Sequence, residues 1–171
     1  MSLTCILDGG YSLGCRTGRG GIKNMYFGTY SGSTAWTVDG DGIITGVTGY
    51  NKFFEFDAPA ETLSAMDTGT YSKENYTNFQ TQTVNGRLFA NTQTERDLLY
   101  LLASYRMFAV VEDNNGDYFL YGKENGCWLT ASEANFGTTF EDSNTISFSM
   151  EGKEPYPATE VDSTVVTTLI T

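Results

Sequence analysis

Histidine is absent from the 171 residues of this chain. Its absence removes Ser-His-Asp and Cys-His nucleophilic machinery, imidazole metal ligands and the commonest general base of enzymes. The three cysteines, Cys5, Cys15 and Cys127, include no CxxC pair and leave at least one thiol unpaired. This pattern is typical of a reducing compartment, although a Cys5–Cys15 bridge stays open. We therefore predict no catalytic, cofactor-binding or metal-binding residue, and a protein that is not an enzyme.

Basic residues are also scarce, since 10 Lys and Arg face 21 Asp and Glu and give a net charge of −11. Such a chain repels phosphate backbones, which disfavours a sequence-reading nucleic-acid domain. Residues 1–108 carry 8 basic and 10 acidic side chains (net −2), and residues 109–171 carry 2 and 11 (net −9). This asymmetry is compatible with attraction between stacked subunits, and equally with an ordinary acidic surface.

Long apolar runs are missing as well. No stretch approaches the ~20 apolar residues of a membrane span, and residues 1–10 lack the basic start and apolar run of a signal peptide. We therefore expect that the protein has no membrane partner and that it assembles in a cytoplasm.

The residues that are abundant favour β structure. Aromatic residues reach 14%, Gly contributes 19 residues, and Thr is frequent, a composition typical of half-buried strands and tight turns. The length fits one domain. Apolar and turn patterns predict strands at Ile22–Tyr30, Ala35–Val38, Ile43–Thr48, Lys52–Asp57, Met107–Glu112, Asp117–Gly122, from Trp128, and Asn144–Met150. Two more strands are predicted within Thr70–Phe89, with Asn85-Gly86 as the hairpin turn between them.

One helix is predicted, at about residues 93–105. Thr92 and Glu95 have the spacing of a capping box. Leu98, Leu101, Leu102 and Tyr105 recur at helical spacing and predict the apolar stripe, which core packing explains without a cofactor.

The clearest hairpin signal is the run Asp113-Asn114-Asn115-Gly116 between two apolar segments. Calcium-loop spacing is matched nearby by four residues: Asp113, Asn115, Asp117 and Glu124. The position that requires Gly in such a loop is Tyr118, so the hairpin explains these residues better than a metal does.

The two ends of the chain differ from its middle. We predict a single β domain over residues 1–157, closed by Pro155 and Pro157, with a Gly-rich N-terminal arm over residues 1–21. Residues 158–171 form a Thr- and Val-rich extension whose composition favours a strand. That strand either pairs with the sheet edge of a neighbouring subunit or is the last strand of the same domain.

Three segments carry a resemblance to a known family: Leu98 to Gly126 (LLYLLASYRMFAVVEDNNGDYFLYGKENG), Glu151 to Pro155 (EGKEP) and Gly20 to Phe27 (GGIKNMYF). Together they resemble small virion proteins of tailed phages that infect Bacteroidetes, including the crAss-like group. Such proteins look like members of the tail-tube-like superfamily.

The resemblance implies an antiparallel β-sandwich or rolled barrel with one flanking helix. It implies rings, commonly hexameric, that stack into a tail tube or head–tail connector of a virion. The partners would be copies of the chain and other virion proteins, with DNA passing through an acidic lumen without sequence-specific binding. The alternative is a carbohydrate- or receptor-binding decoration module, with Trp36 and Trp128 either as stacking platforms or as core residues.

Overall fold

The computed structural model describes residues 10–11 and 18–171 and is mainly β, as predicted. Cys5, Cys15 and most of the predicted N-terminal arm lie outside these residues. In this part of the chain the strands are β1 Ile22–Thr29, β2 Ala35–Val38, β3 Ile44–Thr48, β4 Phe53–Phe56, β5 Ser64–Ser72, β6 Thr77–Leu88, β7 Met107–Asp113, β8 Tyr118–Tyr121, β9 Trp128–Asn135, β10 Thr145–Glu154 and β11 Thr159–Val161. The described residues also form the helices α1 Gln93–Ser104 and α2 Ser163–Ile170.

The strands form two sheets. The large sheet has the order β2-β3-β11-β8-β7-β1-β4, and the small sheet has the order β5-β6-β10-β9. Neighbouring strands are antiparallel except for β11 and β3, which are parallel. The result is a β-sandwich with a flanking helix.

Both faces of the large sheet are buried at its centre. Along β1, Met25 and Phe27 belong to the core between the two sheets, whereas Tyr26 belongs to a second core on the opposite face. Side chains alternate between faces along a strand, so covering both faces requires an unbroken apolar run. This explains the run Met107–Val111 in β7, whose residues are all buried.

The core between the sheets is aromatic. The ring of Phe148 on β10 lies 5.9 Å from that of Phe27 and 6.3 Å from that of Phe56, both in edge-to-face geometry. Ile146, Phe148 and Met150 are all buried, so alternate residues of β10 face this core.

Helix α1 confirms the predicted segment and cap but not the predicted stripe. The backbone N–H of Thr92 donates to the carboxylate of Glu95 at 3.0 Å. The buried side chains are Leu99 and Leu102, while Leu101 is 56% exposed. Leu99 and Leu102 pack in the core between the sheets. The buried stripe of the helix therefore lies part of a turn away from the stripe that the sequence predicted.

The C-terminal segment corrects the predicted strand. Only Thr159–Val161 is a strand, and it pairs with β8 and β3 of its own domain. Residues 163–170 form α2, which begins at Asp162, whose carboxylate accepts from the backbone N–H of Thr164 at 2.8 Å. The buried side chains of α2 are Val165, Val166 and Leu169, which have helical spacing and belong to the core on the outer face of the large sheet. Burying these side chains outweighs the preference of Val and Thr for β structure.

The turn predicted at Asn85-Gly86 is also wrong. β6 runs through both residues, and the turn to β5 lies at residues 73–76. Gly86 lies directly opposite Phe148 of β10, whose ring occupies the space that a side chain at position 86 would fill. The glycine therefore allows the Phe148 ring to lie close to the backbone of β6.

Candidate assembly surface

The small sheet has two open edges in the described part of the chain. β5 is hydrogen-bonded only to β6, and β9 only to β10. Every residue of β9 except Leu129 is exposed. Long exposed edges present unpaired N–H and C=O groups, which readily pair with another strand.

The outward face of the small sheet is polar and balanced in charge. Ser and Thr recur among the residues that pair on this face, as in the pair Thr68–Thr81 of β5 and β6 and in Ser147 and Ser149 of β10. Its charged side chains are Arg87, Lys153, Glu133 and Glu151. Two positive and two negative charges cancel, so the chain's net charge of −11 is carried elsewhere.

The strands of the small sheet are staggered. Ala131, at the centre of β9, is level with Ser149, Asn85 and Ser64. The centre of β5 is Thr68, four residues beyond Ser64. If the centre of β9 paired with the centre of another copy's β5, the register would advance by four residues for each copy. Each copy contributes four strand-to-strand steps, three within its sheet and one to the next copy. One residue per strand is the ratio of closed eight-stranded barrels, whose strands tilt by about 36°.

Each end of β9 has an arginine that lies over an aromatic ring. The guanidinium of Arg106 is 5.8 Å from the ring centre of Trp128 and 4.4 Å from that of Tyr30. The guanidinium of Arg96, on α1, is 5.4 Å from the ring of Phe136, the residue after β9. Stacking on aromatic faces limits the freedom of both charged side chains.

Exposed apolar side chains accompany both edges. On the β5 side these are Met66, Tyr71 and Tyr76, and beyond β9 they are Phe136 and Phe140. Large apolar side chains beside an open edge are typical of surfaces that bury a partner.

The two tryptophans differ in role. Trp36 is partly buried and packs edge-on against Phe108, with ring centres 5.4 Å apart, so it belongs to the core. Trp128 is 51% exposed and is one of the two rings beneath Arg106.

The residues with calcium-loop spacing are separated by the fold. The Asp113 carboxylate accepts from the backbone N–H groups of Asn115 (2.8 Å) and Asp117 (2.9 Å), which shapes the predicted hairpin turn. Glu124 lies beyond β8, where its backbone N–H donates to Glu154. Among residues 10–11 and 18–171 no group of three or more His, Cys, Asp or Glu side chains is placed to hold a metal ion.

Two buried carboxylates bond to neighbouring segments, Glu112 to strand β1 and Glu154 to the loop after β8. Glu112 pairs with Lys23 at 2.6 Å and accepts from the Asn24 side chain at 2.8 Å, and this hydrogen bond raises the pKa of Lys23. Glu154 accepts from the backbone N–H groups of Glu124 (3.0 Å) and Asn125 (2.8 Å). Burial nevertheless raises the pKa of Glu154 above its ordinary value.

Sequence reasoning proposed no site residues, and the surface described above depends on which strands lie at the edges. No family model, curated protein or solved structure matches this chain. Within the described residues, no helix is long and apolar enough to cross a membrane.

Proposed function

We propose that this chain is a structural subunit of a tailed-phage virion that self-assembles into a ring of a tail tube or head–tail connector. The sequence resemblance supports the virion context. The observation that carries the assembly itself is the small sheet, which is open at both edges and whose strand centres shift by four residues between β9 and β5.

The strand directions favour a ring built by rotation. Neighbouring strands of the small sheet alternate in direction, so β5 and β9 run oppositely. A copy rotated about an axis near the strand direction places its β5 antiparallel to β9, which gives the well-paired ladder. Such a contact joins two different edges, and repeated contacts of this kind close into a ring when the rotation allows.

In this arrangement the outward face of the small sheet lines the channel. Its Ser and Thr hydroxyls and cancelling charges offer phosphate neither a strong attraction nor a strong repulsion. DNA would pass without sequence-specific binding, along a neutral wall instead of the acidic lumen expected from the resemblance.

The test is the mass of the chain in solution, measured by light scattering behind size exclusion over a concentration series. The same fractions are imaged by negative-stain microscopy. We expect annular particles whose mass is an integral multiple of 18.8 kDa. A strict monomer at the highest concentration contradicts self-assembly as an intrinsic property.

The second candidate is a carbohydrate-binding decoration module, which the exposed ring of Trp128 favours. A glycan that stacks on this ring would displace the Arg106 guanidinium and change tryptophan fluorescence. A glycan-induced change that Trp128→Phe abolishes in a monomeric protein would favour this candidate over the ring.

A further inference from the structure

We propose that charges at the ends of the two open edges select head-to-tail pairing of β9 with the β5 of a second copy. The inference rests on the proposed ring and names what fixes its partner, direction and register. It starts from the arginines Arg106 and Arg96 at the two ends of β9, which we call the arginine clamps.

The β5 edge carries the complementary charge at its two ends. Glu61 precedes the first residue of β5 by three positions, and Glu74 follows the last by two. Both side chains are exposed. Neither glutamate nor either clamp forms an ion pair within the described residues, whose single ion pair is Lys23–Glu112. Lys73 adjoins Glu74, and Asp57 lies upstream of Glu61. Near the ends of β5 three carboxylates therefore face one lysine ammonium group.

The register brings these charges together. β9 has a bulge at Thr130, so Trp128 lies only two levels from Ala131. With Ala131 opposite Thr68 of the next copy, Trp128 is therefore opposite Thr70, and Phe136 is opposite position 63. Glu74 then lies four residues beyond the Trp128 level, and Glu61 two residues beyond the Phe136 level. Because both glutamates lie in turns, these offsets are at most about 7 to 13 Å at about 3.3 Å per residue, which an arginine and a glutamate side chain span together. Arg106 therefore meets Glu74, and Arg96 meets Glu61.

The same charges oppose the competing pairings. Two β9 edges joined antiparallel would bring Arg96 of one copy to Arg106 of the other. Two β5 edges joined in that way would bring Glu61 to Glu74. Both twofold contacts place like charges together, whereas the β9–β5 contact places opposite charges together at both ends. The clamps thus favour ring closure over dimers.

The test is a charge-reversal set on the full chain at low ionic strength. The β9 variant is Arg96→Glu with Arg106→Glu, and the β5 variant is Glu61→Arg with Glu74→Arg. Each variant alone turns two attractions into repulsions and should raise the concentration for half-assembly about tenfold or more. An equimolar mixture of both variants should assemble at the wild-type concentration, because each edge again meets its opposite charge.

The matched control is Arg87→Glu, which reverses an exposed arginine on the central strand β6 and should leave assembly unchanged. In 1 M salt the penalty of each variant should shrink, since the Debye length falls to about 3 Å. Unchanged circular dichroism shows that the variants fold.

Assembly of the wild type together with unimpaired assembly of both variants overturns the clamps and leaves the proposed ring intact. A mixture no better than either variant alone also overturns the clamps. A wild type that stays monomeric overturns both the ring and the clamps.

Discussion

Replacing Gly86 with alanine tests the packing of the small sheet against the large one. A Cβ at position 86 would lie 2.5 Å from Cζ and 2.8 Å from Cε1 of the Phe148 ring. Carbon atoms in contact prefer separations of about 3.5 to 4.0 Å, so the ring must move by about 1 Å. Phe148 is held by Phe27 and Phe56, and the displacement spreads into the aromatic core.

The magnitude follows from two opposing terms. Overpacking a well-packed core costs about 1 to 3 kcal/mol. Removing a glycine from a strand returns about 0.5 to 1 kcal/mol of backbone entropy. We therefore expect Gly86→Ala to lower the free energy of unfolding by about 1 to 2 kcal/mol, which lowers the Tm by about 2 to 8 °C for a chain of this size.

The assay is urea and thermal unfolding followed by circular dichroism, under conditions in which the chain is monomeric. The control is Gly40→Ala, where the added Cβ meets no atom within 4 Å, and which should be neutral or slightly stabilising. In a Phe148→Leu background Gly86→Ala should lose most of its cost, because the clashing ring is absent. A Gly86→Ala protein as stable as the wild type, or the same cost in the Leu background, refutes the packing described here.

Three further predictions concern buried groups. Leu169→Ala should cost about 2 to 5 kcal/mol in urea unfolding, whereas Leu101→Ala on the exposed side of α1 should cost far less; equal costs would contradict the burial of α2. Because the folded pKa of Glu154 is raised, its contribution to stability is complete below the ordinary carboxyl pKa and declines as pH rises through the folded pKa. The stability of the wild type should therefore fall relative to Glu154→Gln as the pH rises above the ordinary carboxyl pKa, and parallel pH profiles would count against a buried carboxyl. Burial raises the pKa of Cys127 to about 12, so iodoacetamide at pH 8 should label it slowly in the folded Cys5→Ser/Cys15→Ser protein and quickly in urea, whereas fast labelling of the folded protein would contradict its burial.

Local signals predicted the elements that depend on local chemistry. The hairpin at residues 113–116 was found because Asn-Gly lies between apolar strands and the turn is closed by its own Asp113 side chain. The N-terminus of α1 was found because Thr92 and Glu95 are neighbours in sequence. Both features need no information from distant parts of the chain.

The same signals failed where a distant residue decides the outcome. Asn85-Gly86 has the sequence of a turn, yet Phe148, about sixty residues later, makes the glycine part of a strand. The helix α2 is short and rich in Val and Thr, so its stability comes from the large sheet beneath it. An N-cap at Asp162 followed by Val165, Val166 and Leu169 was the signal available in the sequence.

The candidate surface depends even more on tertiary order. Nothing in the sequence states that β5 and β9 are the outer strands of one sheet, or that Arg96 and Arg106 lie over rings at both ends of β9. What the sequence did predict correctly is a mainly β fold, which directs attention to sheet edges and faces.

The most direct test of assembly through the small sheet is a disulfide between its two edges. Ala131→Cys and Thr68→Cys are combined in a chain whose three native cysteines are replaced. Within one copy, three strand spacings of about 4.8 Å separate the two positions, too far for an intramolecular bond, which requires Cα atoms within about 7 Å. Mild oxidation followed by non-reducing electrophoresis should give a ladder that ends at the ring number and collapses to monomer on reduction. A chain that stays monomeric after oxidation, while light scattering shows assembled particles, would contradict pairing of β9 with β5.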